Sequence, residues 1–163
     1  MNPFALLEKG LEFANVPRHV GIYTLRSGQY GNGRGALIVD AEGGEPYGKL
    51  SVNLEDAACA EDQFWSKSSD ATWAEAMMLR IGLFEMTTWQ ARAGHAADYG
   101  TLWQFKKNGA GTYLVEDPDL WREHAELVQA VRDRRKAEAT VKALTAPASE
   151  QFERLQLGRW TEK

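Results

Sequence analysis

A single cysteine, Cys59, is all the thiol chemistry this chain of 163 residues carries. One cysteine cannot form an intramolecular disulfide, and it excludes a multi-cysteine zinc or iron–sulfur site within one chain. A reducing compartment is the natural setting, and a cytoplasmic location is expected. Long hydrophobic runs are also missing: none approaches the roughly 18 apolar residues of a membrane-spanning helix. The opening MNPFALLEKGLEFANVP has neither a basic n-region nor a long apolar segment, so no secretory leader is expected. An excess of either sign of charge is also missing, with 19 Lys and Arg against 23 Asp and Glu, net −4. That balance argues against a chain built as a whole to grip phosphate backbones, while leaving room for a local basic patch. No internal repeat or low-complexity segment is visible.

What is there suits an ordinary globular protein. Hydrophobic content of 44% is close to average usage, so a core can be built. The length suits one domain, or one domain with an appendage. Six Trp, six Phe and five Tyr are generous for this size; most should be core, and several are available to anchor a partner.

The clearest pattern runs from His19 to Leu54, where three apolar or alternating runs are separated by glycine-rich turns. It predicts a three-stranded antiparallel meander with strands near 19–27, 35–41 and 47–54. Asn32-Gly33 fits a type I′ turn, which needs two residues at positive φ, and Glu42-Gly43-Gly44-Glu45 fits a second hairpin. In the third strand Tyr47, Lys49, Ser51 and Asn53 alternate with Gly48, Leu50, Val52 and Leu54, one wet face and one dry. Ahead of the meander, Phe4, Leu7 and Leu11 have helical spacing after Pro3, which predicts a short helix over 4–13. Residues 55–69 read as an acidic connection pinned by Phe64 and Trp65; its stretch 55–62, beside these two aromatics if exposed, could mimic nucleic-acid charge or bind a basic partner, although a solvated linker is the plainer reading.

A helix over 72–81 follows, with Thr72 and Glu75 as a capping box and Gly82 closing it. Phe84–Arg92 and Tyr99–Lys106 read as two further strands, and Thr112–Val115 as a last short one. Composition shifts at Asp117-Pro118, where Asp117 can cap a helix with Pro118 at its first position. This boundary divides an α+β domain, 1–116, from a helical extension, 117–163. The extension's first helix should reach about Leu144, and its apolar stripe of Leu120, His124, Leu127, Val128 and Val131 thins into RDRRKAEATVK. Ser149 can cap a final turn that offers Phe152, Leu155 and Trp160.

YGNGRGALIVDAEGGEPYGKLSVNL, CAEDQFWSKS and the short helix ending in GLFE together resemble the DUF4313 family, small proteins of bacterial mobile elements and phages. The likeness covers about residues 21–105 and is sharpest at Asn32-Gly33-Arg34 and Gly44-Glu45-Pro46-Tyr47. It implies an accessory protein carried by a mobile element, and it implies no established activity.

Candidate sites are few. GNGRG at 31–35 lacks the strand-to-helix setting and the lysine of a phosphate loop, so it reads as a hairpin turn with Arg34 facing solvent. His19, His95 and His124 have no partner at metal-ligand spacing, and His124 on its apolar stripe reads as a satisfied core or boundary histidine. Cys59, between Ala58 and Ala60 and bracketed by Glu55, Asp56, Glu61 and Asp62, reads as a small buried residue whose nearby carboxylates would raise its pKa. Arg132, Arg134, Arg135 and Lys136 could meet a nucleic-acid backbone, although charge runs on helices are usually solvated.

The expected fold is α+β: about five antiparallel strands in two groups crossed by the 72–81 helix, with a helical C-terminal extension. Ile22, Leu37, Val39, Leu50, Val52, Leu79, Leu83, Leu102 and Phe105 should be buried. The expected function is non-enzymatic binding of a macromolecule, with inhibition of a bacterial defence system as one concrete version. No catalytic, cofactor or metal residue is expected. The contact candidates are Tyr30, Arg34, Asp62, Trp65, Trp89 and the arginines and lysine of 132–136. A nucleic-acid-associated factor using the basic helix is the alternative, and a second copy pairing through Leu127, Val131 and Val141 is a further use of that helix. No membrane partner is expected.

Overall fold

The computed structural model describes residues 2–15, 21–67, 72–92 and 99–145; Asn15, Lys67, Thr72 and Tyr99 are described in backbone only. His19, His95 and the segment holding Ser149, Phe152, Leu155 and Trp160 lie outside the described residues, as does the Thr72 side chain of the expected capping box. The fold is α+β, as expected. Among the described residues, seven antiparallel strands, where about five were expected, form two sheets. The first sheet has the order β1-β2-β3-β4, from Leu11–Asn15, Gly21–Gln29, Gly35–Ala41 and Pro46–Lys49. The second has the order β5-β7-β6, from Gln63–Lys67 (β5), Phe84–Arg92 (β6) and Tyr99–Phe105 (β7). Helix α1, Thr72–Ile81, connects β5 to β6, and α2 runs over Pro118–Thr145. The chain divides into two compact units, 1–128 and 129–163, so α2 belongs to both.

The expected helix over 4–13 is instead a 3₁₀ turn, Pro3–Leu7, followed by strand β1. Gly10 makes the break at φ 84°, where a side chain would be strained and a Cβ would meet Thr24 at 2.8 Å. Phe4, Leu7 and Leu11 satisfy a helical spacing. Leu11 and Phe13, both buried on either side of exposed Glu12, satisfy a strand as well, and pairing with β2 decides between them.

The β2–β3 connection is not a type I′ turn. Gly33 alone takes positive φ, 86°, and the loop is closed by Gly33 N–H to Tyr30 O at 2.9 Å and Tyr30 N–H to Arg34 O at 2.8 Å. The 42–45 turn closes β3 onto β4 as expected, with Gly43 and Gly44 at φ 84° and 82°. The third run is shorter than its alternation suggests: β4 ends at Lys49, and Val52 makes only an isolated bridge to Trp65. Ser51, expected on the wet face, is 1% exposed; its Oγ accepts from Leu37 N–H at 2.9 Å and pairs with Tyr30 Oη at 2.8 Å.

Residues 55–69 are more than a connection, because β5 pairs along its whole length with β7. Phe64 and Trp65, expected to be exposed there, are 2% and 5% exposed. The expected strand at 112–115 is one bridge, Lys107 to Tyr113, and then a 3₁₀ turn over Leu114–Glu116.

One apolar core serves the first unit. Phe64, Phe84 and Phe105 project from the inner face of the second sheet and meet one another edge-to-face, and Phe4 meets Phe64 and Phe105 in the same way, with centroids 4.8–6.4 Å apart. Such pairs contribute about 0.5–1.5 kcal/mol each beyond their buried area. Met77, Met78 and Ile81 of α1 close the core, with Gly82 ending the helix at φ 76°. Leu79, expected inside, is 64% exposed, since it lies between the buried positions 77–78 and 81, and Val52 is half-buried. The other expected core residues are buried. Asp117 caps α2 through its Oδ1, which accepts from Asp119 N–H at 2.9 Å. His124 is buried as expected, with Nε2 2.8 Å from the Ile81 carbonyl.

Candidate functional site: an apolar groove on the second sheet

Strand pairing puts every second residue of the second sheet on its outer face. Gln63 of β5 lies opposite Gln104 of β7, and Trp65 opposite Leu102, while their neighbours Phe64 and Trp103 face the core. Trp65 and Leu102 are nonetheless buried. What covers them is the loop after Val52 on one side and an irregular stretch of β6 on the other.

The irregularity in β6 places the site's most exposed large residue. Met86 pairs with Trp103 and Gln90 with Thr101, so three β6 residues stand against the single residue Leu102. A bulge of this kind bends the strand and re-aims its side chains. Thr87 holds the bulge together: its Oγ1 donates to Leu102 O at 2.7 Å and accepts from Trp89 N–H at 3.2 Å. The backbone of Trp89 is thereby held at the rim, and 70% of the residue's surface is exposed.

The opposite wall is the loop 57–60, and it is stapled twice. Arg34 donates from its two terminal nitrogens to the Leu54 and Ala57 carbonyls, each at 2.6 Å. Trp65 Nε1–H donates to Ala58 O at 3.1 Å. Between this wall and Trp89 lies an open groove of about 670 Å³ floored by Trp65 and Leu102, with Ala91 beyond and Gln63 at one end. A second hollow of about 420 Å³ shares Ala57 and Ala91 with it and is lined by Asn53, Glu55, Asp56 and Arg92. At the Gln63 end a polar row crosses the sheet: Gln63 donates to Gln104 at 3.4 Å, and Gln104 to Glu85 at 2.5 Å.

Cys59 lines this groove and is only half-buried, where full burial was expected. Its Sγ–H donates to Gln63 O at 3.0 Å. Burial pushes the thiol pKa up, Arg34 pulls it down and Asp62 pushes it up further. A thiol held protonated in this way is a poor nucleophile at neutral pH. Among the described residues, no group of three or more His, Cys, Asp or Glu could hold a metal ion.

The structure sorts the contact candidates. Trp65 and Trp89 come together as floor and rim of the groove, with Asp62 next to its Gln63 end. Arg34 is not a solvent-facing contact, because its guanidinium is committed to the loop carbonyls. Tyr30 is half-buried, with its hydroxyl on Ser51 and Lys49 Nζ 5.9 Å from its ring; burial raises its pKa. Asp62 Oδ2 accepts from Tyr113 Oη–H at 3.0 Å. Burial first, then that hydrogen bond and nearby carboxylates, raise the Tyr113 pKa. Arg132, Arg134, Arg135 and Lys136 lie in the second unit, on α2; Arg134 pairs with Glu138 at 3.0 Å.

No family model, curated protein or solved structure matches this chain. The site therefore rests on its own geometry. Sequence reasoning missed Leu102 and the 57–60 wall as groove residues, since nothing local marks either. The sequence signal was the surplus of large aromatics, which put both Trp65 and Trp89 among the contact candidates.

Proposed function

We propose that this chain is a non-enzymatic binding protein that holds a partner protein in the groove between Trp89 and the 57–60 loop. The observation that carries this reading is Trp89, placed by the β6 bulge beside an apolar floor yet left open to water. A few desolvated aromatic anchors supply most of the affinity of protein interfaces, and tryptophan is the residue most enriched among them. Exposed apolar concavities of this size are where partners or ligands sit.

The resemblance to DUF4313 sets the class of target in this reading: a host or element-encoded macromolecule, with a component of a bacterial defence system as the concrete version. Binding would act by occlusion. The cytoplasm is the expected place for such an encounter. Among the described residues, no helix is long and apolar enough to cross a membrane.

A second reading uses α2. Arg132, Arg134 and Lys136 are exposed on 129–145, a segment with five cations and two carboxylates. Such a helix could follow a nucleic-acid backbone, in which case affinity falls steeply with salt. Leu127 and Val141, 46% and 59% exposed, could instead pair with a second copy. The pairing of Arg134 with Glu138 weighs against the nucleic-acid reading.

A pull-down with tagged protein, washed at low and high salt with nuclease, separates the two readings. A protein partner retained through both washes and lost with Trp89→Ala is expected. Recovery of nucleic acid alone, lost at high salt, would overturn the groove reading in favour of α2.

A further inference from the structure

The groove is apolar at its centre and acidic at its ends. At the Gln63 end, Glu85 terminates the Gln63–Gln104–Glu85 row, and Asp62, the residue before Gln63, holds its carboxylate on Tyr113 Oη at 3.0 Å. At the other end, Glu55 and Asp56 line the hollow that continues the groove past Ala57 and Ala91. Cations stand nearby as well: besides Arg34 and Arg92, Lys107 Nζ lies 4.9 Å from the ring of Tyr113, the partner of Asp62. Arg34 spends its terminal nitrogens on two backbone carbonyls, which leaves Arg92 as the cation at the second hollow. The surroundings have the same sign: residues 1–128 hold 11 of the 19 Lys and Arg and 18 of the 23 Asp and Glu, net −7.

An apolar trough with carboxylates at both ends selects its occupant. The middle favours a large apolar side chain, which gains by leaving water against Trp65, Leu102 and Trp89. The ends penalise an anion and attract a cation, and complementary charge of this kind speeds encounter and rejects like-charged partners. We infer that the groove takes a cationic peptide segment of a partner protein: one bulky apolar residue seated between Trp89 and the 57–60 loop, flanked on both sides by Lys or Arg that reach Glu85 and the Glu55–Asp56 pair. This rests on the groove being the binding site and goes further by naming what fills it. Recognition is led by side chains. The bulge at Thr87–Trp89 interrupts the ladder of β6 beside the groove, so a regular added strand has no continuous row of backbone groups to pair with there.

The test uses the full chain and three synthetic peptides with blocked ends: Lys-Lys-Gly-Leu-Gly-Lys-Lys, the same with Ala for Leu, and the same with Glu for every Lys. Binding is followed by the shifts of the tryptophan indole N–H resonances. The cationic leucine peptide should bind at least about tenfold more tightly than either control, a difference of ~1.4 kcal/mol. Trp89→Ala should abolish that binding without lowering the unfolding midpoint, because the ring is mostly exposed. Glu85→Gln combined with Asp56→Asn should weaken it and flatten its salt dependence.

Equal binding of the Glu peptide would overturn the charge selectivity and leave the groove reading standing. Equal binding of the Ala peptide would show that acid attraction alone suffices and would overturn the apolar seat. Binding by none of the three would overturn the inference outright, while the Trp89-dependent pull-down would still decide the groove reading by itself.

Discussion

Arg34 shows how one side chain can build a groove without lining it. Its terminal nitrogens satisfy two carbonyls of the loop that walls the groove, one of which, Ala57, borders both hollows. Hydrogen bonds from a charged donor contribute about 1.5–3 kcal/mol when formed. Arg34→Ala should therefore loosen the 54–58 backbone, seen as faster amide exchange at Ala57, and cost about 1–3 kcal/mol in denaturant unfolding. Arg34→Lys should restore little, because a point ammonium cannot replace the planar fork between two carbonyls. Cys59 gives a second residue-scale expectation. Burial and Asp62 hold its thiol protonated, so alkylation by iodoacetamide at neutral pH should be slower than that of a free thiol. Asp62→Asn removes one of the two influences that raise the pKa. The thiolate fraction, and with it the alkylation rate, should then rise; an unchanged rate would mean that Asp62 does not act on the thiol.

Elements dock through contacts that a single atom can spoil. The N-terminal 3₁₀ turn lays Phe4 across the start of β3, where a Cβ on Gly35 would stand 2.6 Å from the ring. Phe4 is held by edge-to-face contacts with Phe64 and Phe105 and has no free direction to move. Gly35→Ala should cost about 1–3 kcal/mol as overpacking, measured by chemical denaturation. The start of α2 is tied down differently. His124 reaches the carbonyl of Ile81 in the last turn of α1, and Trp121 Nε1–H donates to Val115 O at 2.6 Å. His124→Leu keeps the apolar volume but strands that carbonyl, so it should cost about 1–3 kcal/mol, with His124→Gln recovering part of the loss. At this scale the sequence was most legible where punctuation was explicit. Gly82, the 42–45 turn and Asp117-Pro118 all ended or began elements where expected. It was least legible where two periods coexist, as in 4–13, and where a strand is short and polar, as in β5, whose pairing with β7 is a long-range event.

For the molecule as a whole, the phenols of Tyr30 and Tyr113 set an alkaline limit. Both pKa values are raised in the folded state, Tyr30 chiefly by burial and Tyr113 by burial together with its bond to Asp62. A raised folded pKa means that the protonated form is the one folding prefers. The stability it contributes is complete below the unfolded phenol pKa of about 10 and is lost as pH rises through the folded values. The thermal midpoint should hold up to about pH 10 and then fall, and Tyr113→Phe, which cannot ionise, should make that fall shallower. A midpoint that falls equally in wild type and variant would show that Tyr113 does not contribute. Charge is also divided along the chain, net −7 over 1–128 and +3 over 129–163, a contrast the whole-chain value of −4 conceals.

The sequence by itself determined the α+β class, the existence of the meander, the limits of α1 and β6, and the starts of β7 and α2. These follow from local rules: glycine at positive φ, proline at a helix start, apolar periods of two and 3.6. The groove was decided by tertiary structure alone. Its floor comes from a register that sets Trp65 against Leu102, its rim from a bulge that turns Trp89 outward, and its wall from an arginine two strands away in the other sheet's hairpin. Each is a contact between residues far apart in the chain, and local spacing carries no record of such contacts.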